Sequence, residues 1–376
     1  MDILKPLPLL GGLSPEKFMR RHWQKKPLLI RAALPEPALW IDRADLFSLA
    51  AREGVESRLI VRRQAEWTLR HGPLPRRALP RIDQPGWTVL VQGVDLHLEA
   101  ASTLLSSFRF VPEARLDDLM VSWASDGGGV GPHVDSYDVF LLQLQGRRRW
   151  RIGPLEDPEL QPGAPLRILR HFTPRDEWLL EAGDMLYLPP GWAHDGVADG
   201  ECLTASIGFR APAKQALGRE VLQCMLDGAE PPEADSLYQD RHQQATTEPG
   251  RMPPGLLAFA SDAAERFLRE PKALACALGE VMTEPKPTVW FDPGEPLADG
   301  SGVRLDRRSR MVYDDHHVFL NGESFRAGGQ DARLMRGLAD QRRLGAAQVM
   351  RLSDNARDLL DQWVEAGWLQ PEHPMA

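Results

Sequence analysis

Between residues 119 and 209 the chain breaks into short β-forming runs separated by Gly, Pro or Asp. They cover residues 119–124, 139–145, 148–153, 167–172, 185–188 and 203–209. Regularly spaced short strands predict an all-β sandwich or barrel. Around a metal site, the expected form is a double-stranded jelly roll. At the centre lies Gly127 to Trp150, GGGVGPHVDSYDVFLLQLQGRRRW.

His133-Val134-Asp135 can hold one metal ion, because residues two apart on a strand share a face. A His-x-acid triplet is weak evidence by itself. Ten His and 53 acidic residues in 376 supply roughly one such triplet by chance. A second one, His97-Leu98-Glu99, opens a helical stretch, where positions two apart diverge. It is set aside. The missing ligand is a histidine from another strand, His171 or His194. His194 follows an acidic turn, a short apolar strand and a Pro-Pro-Gly corner (residues 183–194), which places it at the start of a strand. His171 has no such setting and reads as a partly exposed strand residue. The predicted catalytic and metal-binding set is therefore His133, Asp135 and His194. Two His and one carboxylate on one face leave three positions open, as in non-haem Fe(II) oxygenases, although Mn or Zn occupies similar sites. A 2-oxo acid takes two of those positions and O₂ the third.

A 2-oxoglutarate co-substrate needs a cation for its far carboxylate, and the arginine fork suits it. Strand parity selects among the arginines after Gly146. Arg148 shares a face with Trp150 and Ile152, whereas Arg147, Arg149 and Arg151 share the other. The apolar pair points inward, so Arg148 is the expected inward charge. Ser122, Thr204 and Ser206, on flanking strands, are candidate hydrogen-bonding partners of the acid. Asp126, Tyr137 and Asp138 lie beside the metal-binding strand and are candidate substrate contacts. Gly127 to Gly131 is expected to form a mobile lip at the mouth.

Elsewhere the pattern is mixed. Ser14-Pro15-Glu16 starts a helix, with Ser as N-cap and Pro at the first position. A helix over residues 42–52 and strands over 28–31, 57–63, 66–70 and 87–92 follow, then a helix over 98–108. After residue 212 the periodicity turns helical over 213–226, 256–268 and 272–282, with a Pro-, Glu- and Gln-rich loop over 227–254. The hairpin signal Val318 to Phe325 turns at Asn321-Gly322, and helices over 331–339 and 353–366 complete a winged-helix-like segment. The predicted domains are 1–212 (catalytic), 213–287 (helical connector) and 288–376 (winged-helix-like).

Composition narrows the function classes. Cys202, Cys224 and Cys276 form neither a disulfide framework nor a zinc pattern, which points to a reducing cytoplasm. No signal segment or membrane-spanning run is evident. A formal charge of −8 speaks against general nucleic-acid binding and is compatible with a basic partner.

The motifs GPHVDSYDVF, QGRRRW, GDMLYLPPGWAHDG and SIGFRAP, with FMRRHWQKKPLLIRAALP at the front, resemble the bacterial ribosomal oxygenases, in the cupin-like branch of the JmjC hydroxylases. The resemblance covers essentially the whole chain. It implies a JmjC-type double-stranded β-helix, a helical dimerisation region and a C-terminal winged helix. It further implies an Fe(II)- and 2-oxoglutarate-dependent dioxygenase, active as a homodimer, that hydroxylates Cβ of an arginine in large-subunit ribosomal protein sixteen. By position, His133, Asp135 and His194 become the iron ligands and Arg148 the co-substrate anchor. Two rivals remain. A winged-helix DNA-binding regulator needs a basic face, but residues 288–370 hold 11 Arg and no Lys against 13 acidic residues. A metal cupin without O₂ chemistry needs no buried cation at position 148.

Overall fold

The computed structural model describes residues 2–34, 40–64, 66–228, 236–239, 241, 251–268, 271–298, 300–326 and 328–372. The chain divides into two compact units, Met1–Ala211 and Pro212–Ala376. The connector and winged-helix-like segments expected separately thus share the second unit.

In chain order the first unit holds α1 (Pro15–Arg21), β1 (Leu28–Ile30), α2 (Arg43–Ala50), β2 (Ser57–Arg63), β3 (Glu66–His71), β4 (Trp87–Val91), α3 (Glu99–Ser106), β5 (Leu116–Ala124), β6 (His133–Val134), β7 (Val139–Pro154), β8 (Asp176–Leu180), β9 (Met185–Leu188) and β10 (Trp192–Phe209). Its strands join in the order β1-β9-β7-β10-β5-β4-β2-β3, with β6 added to β10 and β8 to β7. Two long antiparallel strands organise this sheet, and each changes neighbours midway. β7 pairs with β9 through Val139 to Leu142 and with β8 through Arg148 to Ile152. β10 meets β6 at His194 and β5 from Cys202 onward. A strand that serves two sets of neighbours folds one sheet into two layers, the double-stranded β-helix form.

The change of neighbours is built on glycine. Gly146 has φ +67°, and a Cβ there would lie 2.1 Å from the Glu201 carbonyl oxygen. Across β10 the register shifts between Asp199 and Leu203, around Gly200 at φ +75°. These bends were read from the sequence as strand ends. Residues 139–145 and 148–153 are one strand, and the run over 203–209 is the second half of β10. The strand expected over 167–172 is absent: Leu169 makes only an isolated bridge to Leu160, while its N–H donates to the Pro132 carbonyl at 2.8 Å. In its place β8 forms, in a stretch whose Asp176-Glu177 start masks the strand signal.

The helical lead-in packs on one face of this sheet. The Ser14 side chain accepts from the Lys17 N–H at 3.3 Å, capping α1. α1 buries Phe18 edge-on to Tyr187, ring centroids 5.0 Å apart. Phe108, Phe140 and Phe209 extend this core. The opposite, inner face carries Val139, Leu141, Trp150, Ile152 and Leu186. Val139 and Leu141 share that face with Arg148 and Trp150, because the irregular pairing around Gln143 to Gly146 changes the strand's phase once. The glycine loop is not a mobile lip. Gly128 and Gly129 are buried, and Gly127 N–H donates to the Ala198 carbonyl at 3.0 Å while Ala198 N–H donates to Gly128 at 2.9 Å. A Cβ on Gly129 would sit 2.2 Å from the Gly196 carbonyl oxygen, so close backbone approach explains these glycines.

The second unit contains α4 (Lys214–Asp227), α5 (Pro254–Leu268), α6 (Pro271–Thr283), β11 (Gly302–Leu305), β12 (Met311–Tyr313), β13 (His317–Leu320), β14 (Glu323–Arg326), α7 (Gly329–Gln341), β15 (Arg343–Leu344), α8 (Ala346–Val349), α9 (Asp354–Glu365) and β16 (Leu369–Glu372). Two three-stranded sheets, β15-β11-β16 and β12-β13-β14, flank a core containing Leu338, Leu360 and Trp363. Asn321 and Gly322 both have positive φ (50° and 91°), the primed turn that an Asn-Gly hairpin favours. The loop expected over 227–254 lies mostly outside the described residues. No helix among the described residues is long and apolar enough to cross a membrane.

Candidate active site

β6 is two residues long, and its register on β10 sets His133 directly opposite His194. Their ring centroids are 4.2 Å apart. Asp135, two positions after His133, brings Oδ2 to 3.7 Å from His194 Nε2. One donor atom from each of the three residues falls within 4.8 Å of the others, close enough to share an ion. His133 Nδ1 lies 2.8 Å from the Gly131 carbonyl, and His194 Nδ1 lies 3.0 Å from the Trp192 carbonyl. A carbonyl only accepts, so each Nδ1 carries the proton and each Nε2 keeps its lone pair for a metal. Burial, reinforced by neighbouring His133, pushes the His194 imidazole down to about 4. It is therefore neutral near pH 7, the form that ligates.

The same cavity, about 320 Å³ in volume, is lined by the triad at one place and by Arg148 at another. Arg148 is 5% exposed. Its Nη1 donates to Ser122 Oγ at 3.1 Å and to Thr204 Oγ1 at 3.2 Å, and Thr204 donates onward to Gln143 Oε1 at 3.0 Å. Its guanidinium lies 5.5 Å from the Trp150 ring centroid. Arg148 Nε is buried without an acceptor, and no carboxylate among the described residues pairs with the group. Its outward neighbours are all paired: Arg147 with Asp199 (3.3 Å), Arg149 with Glu177 (2.9 Å) and Arg151 with Asp195. A desolvated cation lacking an anion is costly. The donor set and the orphaned Nε fit a divalent metal together with a small carboxylic acid.

Residues 103–217 match the JmjC domain family model, and residues 264–370 match the ROXA-like winged helix model. The chain is 32% identical over 286 residues to the ribosomal protein uL16 3-hydroxylase of Escherichia coli K12, covering 74% of each protein. It is 39% identical over 207 residues to a probable ribosomal oxygenase of Haemophilus influenzae, covering 53% of this chain and 50% of that one. The X-ray structure of E. coli YcfD superposes with a TM-score of 0.81 at 27% identity, over 95% of this chain and 98% of that chain. YcfD in complex with cobalt and 2-oxoglutarate superposes at 0.76 and 28% identity, over 96% and 99%.

Other residues singled out from the sequence divide into two groups. Ser122, Ser206 and Tyr137 line the cavity, and Thr204 stands behind Arg148. Asp126 and Asp138 do not line it. Asp126 Oδ1 accepts from the Gly200 N–H at 2.9 Å, capping the bend in β10. Asp138 is fully buried, accepting from the Tyr187 hydroxyl at 2.6 Å and the Gln24 amide at 3.0 Å. Neither carboxylate reaches the cavity: Asp126 is exposed at the bend in β10 and Asp138 is enclosed in the core. His171 is exposed, 3.9 Å from Glu159, and does not line the cavity. Asp117, Asp118, Met120, Gln92 and Arg58, none of them expected from the sequence, also line the cavity wall. Asp118 and Met120 share the β5 face that carries Ser122, so the parity argument used for Arg148 would have found them. Gln92 Nε2 donates to Asp118 Oδ2 at 2.7 Å, and Arg58 donates to Gln92 Oε1 at 3.1 Å. Replacing Asp138 by Ala leaves Tyr187 and Gln24 without their acceptor and should cost on the order of 3 kcal/mol in urea denaturation. Co(II) affinity should stay at the wild-type value; a loss of metal binding in a folded variant would return Asp138 to the site.

Proposed function

We propose that this chain, which belongs to the ribosomal oxygenase family, is an Fe(II)- and 2-oxoglutarate-dependent hydroxylase acting at Cβ of an arginine in large-subunit ribosomal protein uL16. One observation carries the reading: a His-Asp-His triad and an unpaired buried arginine share one cavity. When bound, iron and 2-oxoglutarate together supply the oxidation, in which the acid loses CO₂ to become succinate and one oxygen atom of O₂ enters a substrate C–H bond.

The chain's own residues bind, orient and exclude water. His133, Asp135 and His194 hold the metal through Nε2, a carboxylate oxygen and Nε2. Arg148 binds the far carboxylate of the co-substrate through the fork that Ser122 and Thr204 hold in place. Ser206, on the same cavity wall, is a further hydrogen-bond donor toward the acid. Val139, Leu141 and Trp150 keep the space between the two ends apolar and dry. Asp117, Asp118 and Tyr137 offer a substrate guanidinium two carboxylates and a hydroxyl on the remaining wall. Burial, with the nearby Asp135 and Asp118 charges, raises the Tyr137 hydroxyl pKa well above the usual tyrosine value, so Tyr137 stays a neutral donor and acceptor. The two carboxylates suit a cationic substrate, with Arg58 and Arg167 also on the cavity lining. The relative named for uL16 3-hydroxylation supports the same substrate. Such a substrate sets the protein in the cytoplasm, consistent with three free cysteines.

The protein is further proposed to act as a homodimer through α4, α5 and α6. Leu222, Leu226, Leu257, Leu274 and Leu278 are exposed apolar residues on these helices, a concentration that marks an interface. Two outcomes test these proposals. Peptide mass spectrometry of ribosomal proteins from cells with and without this protein should find one added oxygen on a uL16 arginine only when the protein is present. An unchanged uL16 would sink the substrate. Light scattering should give twice the chain mass for wild type and the single-chain mass for the double variant Leu226→Asp, Leu278→Asp; a monomeric wild type would rule out the dimer.

A further inference from the structure

The orientation of His133 leads to a residue well outside the cavity. Its Nδ1 is held by the Gly131 carbonyl at 2.8 Å, so the direction of that carbonyl sets the direction of Nε2. Gly131 has φ +101°, a conformation that side-chain-bearing residues rarely adopt. A Cβ built on it would lie 3.0 Å from Cζ2, 3.1 Å from Nε1 and 3.2 Å from Cε2 of Trp67. The indole thus occupies the space a side chain would take. Gly128 and Gly129 are pressed against backbone atoms of Trp87, Ser125 and Gly196, but Gly131 is pressed against a side chain.

Trp67 comes from β3, the last strand of the sheet path, through the β2–β3 hairpin. Its indole N–H is buried and has no acceptor among the described residues. Leaving that donor unmet costs free energy, so the ring is placed there for its shape and not for a hydrogen bond. The Arg62 guanidinium lies 5.1 Å from the Trp67 ring centroid, and Arg62 Nε donates to the Gln64 carbonyl at 3.2 Å, tying ring and hairpin turn together. Trp67 is absent from the cavity wall, and its contact with Gly131 is the route by which it reaches His133.

We propose that Trp67 is a positioning residue for metal binding: its indole fixes Gly131, whose carbonyl aims the His133 ring. His194 supplies an internal contrast, since its Nδ1 donates to Trp192 in β10 and does not depend on Trp67. Loss of Trp67 therefore loosens one ligand of three. The inference rests on His133 being a metal ligand, and the experiment keeps the two claims apart.

Full-length wild type, His133→Ala, Trp67→Phe and Gly131→Ala are stripped of metal and titrated with Co(II) alone, following the visible d–d bands, with thermal midpoints recorded for the apo proteins. Phe lacks the indole atoms that face Gly131, so Trp67→Phe should bind Co(II) about tenfold more weakly, with altered band positions. Gly131→Ala displaces the same carbonyl from the other side of the contact and should shift both readouts likewise. Because φ +101° strains Ala whatever its neighbours, Trp67→Leu, read in the same way, decides the question if Trp67→Phe does not fold. Wild-type affinity and bands in the folded variants, even with a lowered thermal midpoint, would overturn the positioning role and leave Trp67 a packing residue. Equal Co(II) binding by wild type and His133→Ala would instead overturn the metal site.

Discussion

A positive charge enclosed by apolar residues is the constraint around which the first unit is arranged. Arg148, on β7, is buried beside Trp150 and against β5 and β10, and its partners there, Ser122 and Thr204, contribute dipoles but no negative charge. Desolvating such a group without a counter-ion costs several kcal/mol. That cost makes the cavity selective, because a ligand that brings a carboxylate recovers free energy a neutral ligand does not. Binding and stability are consequently linked, and an acid that fills the site also holds the fold.

The metal end follows a different logic. His133 and His194 are cross-strand partners, and each donates Nδ1–H to the carbonyl two residues before it. Tautomer and ring direction are therefore set before any metal arrives, which lowers the ordering cost of binding. The bends at Gly146 and Gly200 let β7 and β10 each serve both layers, so one cavity receives a ligand strand, a cationic strand and the β5 wall.

Much of this was legible from local pattern. The ligand triplet, the Pro-Pro-Gly corner before His194 and the inward phase of Arg148 all depend on residues within a few positions of one another, where strand parity is a sufficient guide. What parity missed depended on distance. Asp126 and Asp138 lie next to the motif in sequence, but one caps the bend at Gly200 and the other is enclosed by Tyr187 and Gln24, from strands and loops remote in the chain. Asp118 shares the parity of Ser122 on β5 and was legible, whereas Asp117, of the opposite parity, was not. The glycine run looked mobile because glycine signals freedom when read alone; here it marks backbone packed against backbone. The long strands looked broken because a positive-φ glycine inside a strand carries the same local signature as a turn.

The most direct test measures what the Arg148 charge is for. Metal-loaded protein kept free of O₂ is titrated with 2-oxoglutarate and with 2-oxobutyrate, which lacks the far carboxylate, for wild type and Arg148→Ala. The account predicts that wild type prefers 2-oxoglutarate by roughly 100-fold, about 3 kcal/mol, and that the variant loses this preference while retaining its metal. An equal preference in both proteins would contradict it.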